Sequence, residues 1–116
     1  MSLILHLSDP HFGTEQAPVV EALVQLAQRV RPEVAILSGD ITQRARPQQF
    51  AAARAFVERL GVATRVILPG NHDIPLLAVG ARLHHPYRRH GQAFGAELEP
   101  VHDSPKLRIQ GLNTTR

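Results

Sequence analysis

Three short apolar runs, Leu3-Ile4-Leu5-His6-Leu7, Val34-Ala35-Ile36-Leu37 and Arg65-Val66-Ile67-Leu68, each end in a polar, turn-prone cluster. Continuous apolar runs of this length read as strands buried on both faces. The stretches between them have helical spacing. The first helix is expected to begin near Pro18, which a first turn tolerates. Val20, Leu23, Val24, Ala27 and Val30 form its apolar stripe, and Arg31-Pro32 closes it. Pro47 opens a second helix with Phe50, Ala53, Phe56, Val57 and Leu60 on one stripe, and Gly61 stops it. The spacing therefore predicts an α/β fold of order β-α-β-α-β. That order calls for a parallel sheet with right-handed crossovers. His6, inside the first run, reads as a packed histidine or one that supports a site from behind.

The last third is less regular. Leu76 to His90 is expected to start as a helix and to bend near Pro86, with His84 and His85 in an exposed bend. Gly91 to Glu99 reads as loop. Val101-His102 and Lys106 to Leu112 flank the turn signal Asp103-Ser104-Pro105, so a hairpin is expected there. With 116 residues the chain is at most one domain, spanning 1–116. It has no cysteine, which excludes thiolate metal sites and disulfides and agrees with a cytoplasmic location. Its net charge of +3 is spread thinly, and only Arg88-Arg89 are adjacent, so no nucleic-acid surface is marked. No apolar run approaches the length of a membrane span.

The chemistry gathers where the strands end. Ser8-Asp9-Pro10-His11 follows the first, Gly39-Asp40 the second and Gly70-Asn71-His72-Asp73 the third. In open α/β sheets ligands bind beyond the carboxyl ends of the strands, so all three clusters fall at one edge. Carboxylate and amide oxygens with imidazole nitrogens suit Mn, Fe, Zn or similar divalent ions. Asp40, on a short loop after a glycine, fits a bridge between two ions. Asp9 and His11 can grip one ion, and Asn71 can offer a neutral oxygen to another. Two ions about 3.5–4 Å apart clamp a phosphoryl group and activate a water as hydroxide for in-line attack. His72 then faces the leaving oxygen, with Asp73 expected either to hold its imidazole in one tautomer or to cap a helix.

Asp9-Pro10-His11, Gly39-Asp40 and Gly70-Asn71-His72-Asp73 resemble the first three motifs of the calcineurin-like metallophosphoesterases. Leu7-Ser8-Asp9-Pro10-His11-Phe12-Gly13 is similar to the branch that includes class III cyclic-nucleotide phosphodiesterases, as is Gly111-Leu112-Asn113-Thr114. The resemblance implies half of a four-layer sandwich with two central sheets between helices. It implies two metals in a complete member, one on Asp9, His11 and Asp40 and the other on Asp40 and Asn71. It makes His72 the general acid and a phosphoester, chiefly a phosphodiester, the substrate.

The family pattern also needs a lone histidine and a Gly-His-x-His motif downstream, and neither occurs before Arg116. The chain is thus expected to hold one divalent ion or none by itself, with His84, His85, His90 and His102 as weak substitutes for the missing ligands. It reads as an N-terminal half that meets either a C-terminal half or another copy of itself. The competing reading is a truncated metal-binding domain that acts by association and not by catalysis.

Overall fold

The computed structural model describes residues 3–75 and 84–115. Its order is β1 (Ile4–Ser8), α1 (Ala17–Val30), β2 (Val34–Ser38), α2 (Pro47–Leu60), β3 (Thr64–Leu68), a 3₁₀ turn (Asn71–Asp73), α3 (Arg88–Phe94), β4 (Val101–Asp103) and β5 (Arg108–Gln110). β1, β2 and β3 form a parallel sheet in that order. The helices end where the sequence says they should. Arg31 leaves α1 in the left-handed region, and Gly61 leaves α2 there with φ 70°. Pro sits in the first turn of both helices.

One face of the sheet carries the core. Leu5, Ala35, Leu7, Leu37 and Ile67 meet Val24 and Ala27 of α1 and Ala53, Phe56, Val57 and Leu60 of α2. Arg59 ties α2 to Glu21 of α1 at the surface, at 2.7 Å. The opposite face is only partly covered. Val34 and Val66 are buried there, whereas Ile4 is 42% exposed and the neighbouring Leu3 48%. β1 is therefore not the doubly buried strand expected of its apolar run. It is an edge strand whose side chains alternate between half-buried and exposed. His6 lies on its exposed face and pairs with Ser38 Oγ at 2.6 Å, so it is not a packed histidine.

The last third departs from expectation in one place. Residues 91–94 are helical, not loop, because α3 lays His90 against Phe50 of α2 and packs Phe94 on the core. The helix expected from Leu76 falls outside the described residues over 76–83. His84 and His85 are exposed, as expected of the bend. The hairpin forms, with Val101↔Gln110 and Asp103↔Arg108 in antiparallel register. It meets the main sheet at Leu68. A Cβ on Gly111 would lie 2.7 Å from Leu68 Cδ2 and 3.0 Å from the Pro100 ring, so a glycine permits that approach. Among the described residues, no helix is long and apolar enough to cross a membrane.

Candidate metal and phosphoester site

The three strand-end loops are hydrogen-bonded to one another almost as tightly as the strands. Asp9 N–H donates to Ser38 O (3.2 Å), His11 N–H to Asp40 O (2.9 Å) and Phe12 N–H to Ile41 O (2.8 Å). Gln43 N–H returns to Phe12 O at 2.9 Å, and Gly39 N–H reaches Leu68 O at 3.1 Å. Phe12 anchors the first loop from below. It is buried, its ring centroid 5.4 Å from that of Phe56. Polar residues on either side of a buried aromatic are thus held at a fixed height above the core.

This lacing forces unusual backbone on the residues that carry the chemistry. Asp9 (φ 52°), His11 (φ 49°) and Asp40 (φ 37°) are all left-handed and none is glycine. Such strain persists where its surroundings over-determine it, and it clusters at functional sites.

Asp9, Asp40 and Asn71 line one cavity of about 330 Å³, together with Gly39, Gly70 and Thr114. His11 and His72 stand beside Asp40, with ring centroids 4.9 Å apart at 89°. Ligand atoms of His11, Asp40 and His72 all lie within 4.8 Å of one another. His11 Nε2 faces Asp40 Oδ2 at 3.8 Å, too far for a hydrogen bond. His11 Nδ1 is buried with no hydrogen-bond partner among the described residues. Oxygen and imidazole donors converge here with lone pairs uncommitted, which is what a divalent cation of the Mn, Fe or Zn kind requires. The donor set fits a metal.

Two assignments change in detail. Asp73 does not touch the His72 ring. Its Oδ2 accepts the N–H groups of Ile41 (3.0 Å) and Gly70 (2.8 Å). Its Oδ1 accepts the N–H (2.7 Å) and the hydroxyl (2.8 Å) of Thr42. It is a buried clasp between the second and third loops, and as the last residue of the 3₁₀ turn it reaches back to Gly70; the helix it was expected to cap falls outside the described residues. His72 is oriented by the Gln43 carbonyl instead, at 2.7 Å from Nδ1. That bond puts a proton on Nδ1 and leaves Nε2 as the reactive nitrogen. No local signal marked Thr42 or Gln43, because both act through loops remote in sequence from residues 70–73. Of the expected substitute histidines, none joins the His11–Asp40–His72 group among the described residues.

His90 has a different situation. It is fully buried between Phe50 and Phe94, and neither ring nitrogen has a partner among the described residues. Burial pushes its pKa down, and the Asp73 charge opposes this in part. A folded pKa below the unfolded value of about 6.5 gives stability that is complete above that pH and lost as the pH falls beneath it. The melting temperature is expected to drop between about pH 7 and pH 5, and His90→Phe to flatten that drop. Thermal melts across the pH series check this, and parallel curves for both proteins would assign the drop to other groups.

The glycerophosphodiester phosphodiesterase GpdQ of Enterobacter lignolyticus (strain SCF1) is 33% identical over 84 residues, which cover 61% of this chain and 29% of that protein. This chain thus spans less than a third of the relative's length in the matched region. The model for calcineurin-like phosphoesterases matches residues 2–111, a span that holds β1 to β5. With laced strand-end loops, a convergent donor set and a family match across nearly its whole length, the chain belongs to the calcineurin-like phosphoesterase family.

Proposed function

We propose that this chain carries the metal-holding part of a phosphodiester hydrolase. The observation that carries the reading is the cavity in which Asp9, Asp40 and Asn71 meet, with His11 and His72 at Asp40's side. Similarity to a glycerophosphodiester phosphodiesterase supports a phosphodiester as substrate. Asp9, His11 and Asp40 would hold one divalent cation, and Asp40 with Asn71 would serve a second. The chemistry that divalent cations supply in such a site is Lewis-acid charge toward phosphoryl oxygens and a lowered pKa for water.

The protein's own part is positioning and proton transfer. Asp40 Oδ1 accepts the His72 N–H at 2.8 Å, which fixes the third loop to the second. The Gln43 carbonyl holds Nδ1–H of His72, so Nε2 is the atom that passes a proton to the departing alkoxide. One observation favours the competing reading of a metal-binding domain without turnover by itself. Among the described residues a single group of three His or carboxylate donors comes together, enough for one ion.

Hydrolysis of bis-p-nitrophenyl phosphate with added Mn²⁺ separates the two. Metal-dependent turnover supports the hydrolase, and tight Mn²⁺ binding without turnover supports the domain. In either case Asp40→Asn is expected to weaken Mn²⁺ binding by about 100-fold or more, since even residues that only support ligands contribute about 10–100-fold. Calorimetric titration checks this, and an unchanged affinity would remove Asp40 from the bridging position.

A further inference from the structure

A fourth piece of chain, the segment after the hairpin, lines the same cavity through Leu112, Thr114 and Thr115. Most of its polar groups are already committed. Asn113 N–H donates to Glu99 at 3.0 Å. Asn113 Oδ1 accepts both the N–H (3.0 Å) and the hydroxyl (2.6 Å) of Thr115. The Tyr87 hydroxyl meets Thr115 at its carbonyl and at Oγ1, each at 2.7 Å. Thr115 is buried, so the segment is clamped on both sides of Thr114. Thr114 alone is exposed with no hydrogen-bond partner for its hydroxyl among the described residues.

Several of the donors around the cavity are already spent. Asp9 and Asp40 are acceptors. The N–H of Gly39 is spent on Leu68, that of Gly70 on Asp73 and that of His72 on Asp40. A phosphoryl oxygen entering here finds fewer neutral donors for that, and a rigidly mounted free hydroxyl is one of those left. Leu112, two-thirds exposed, stands beside Leu68 and Pro69 as apolar wall for the ester's carbon part. We infer that the Thr114 hydroxyl is a substrate-binding group that donates to a non-bridging phosphoryl oxygen of the ester. The inference rests on the phosphoester reading above.

The test measures orthophosphate binding to the Mn²⁺-loaded chain by calorimetry, with Mn²⁺ affinity measured separately. Thr114→Val, which keeps the shape and removes the hydroxyl, is expected to weaken phosphate binding about 10-fold and to leave Mn²⁺ affinity unchanged. Thr114→Ser is expected to bind phosphate as the parent does. Valine binding phosphate as tightly as threonine overturns the inference, and so does valine losing Mn²⁺ in parallel, which makes the residue a brace. A parent chain that binds Mn²⁺ but not phosphate overturns the phosphoester reading itself and the inference with it.

Discussion

Gly70→Ala is expected to unfold the site and much of the domain with it, costing about 3 kcal/mol or more. A Cβ at this position would lie 1.9 Å from the backbone nitrogen of Asp40 and 2.3 Å from its Oδ1. A clash with a flexible side-chain tip can rotate away, but this one is with backbone. Asp40 is itself pinned, because its carbonyl accepts from His11 and its carboxylate from His72. Moving it would undo the bonds that join all three loops. The φ of Gly70 is not left-handed, so the requirement is one of space and not of backbone freedom. Thermal melts should show a fall of about 10 °C or more. A mutant that melts with the parent would mean that the loops can part without loss.

Asp73→Asn is the second large effect, expected at about 3 kcal/mol. The carboxylate accepts from three backbone N–H groups and one hydroxyl, all in buried surroundings. An amide keeps one acceptor and turns a donor toward the others. Each buried donor left without a partner costs about 1–3 kcal/mol. Urea denaturation should show the midpoint moving down with little change in slope. An unchanged midpoint, with lost turnover in an active form, would return Asp73 to the imidazole-orienting role that its place beside His72 invites.

That invitation shows where sequence reading stopped. Adjacent residues look like partners on paper, yet in the tight turn over Asn71–Asp73 consecutive side chains leave in different directions. His72 therefore meets Gln43, and Asp73 meets Ile41 and Thr42. The helices were legible because their signals are local: Pro47 and Gly61 mark α2 at both ends, and its stripe from Phe50 to Leu60 is the buried one. The sheet order and the hairpin followed from the same kind of signal. The exposure of β1 was not legible, since an apolar run does not say how many faces find a cover. The helical turn through Gly91 was missed because its reason is Phe50, far back in the chain. Asp9, Asp40 and Asn71 were legible as a group through the rule that places strand ends at one edge and through the resemblance of their motifs to a known family. Their cavity partner Thr114 stood in a recognised motif, Gly111-Leu112-Asn113-Thr114, but nothing local gave it a role.

The left-handed backbone at Asp9, His11 and Asp40 sets two selective pressures against each other. Strain of this kind costs of order 1–3 kcal/mol at each residue. Glycine at any of the three positions would relieve it and remove a ligand in the same step. A stability screen without a binding readout would therefore enrich variants that have dismantled the site. Retention of three non-glycine residues in this conformation is what continued use of the site would leave behind.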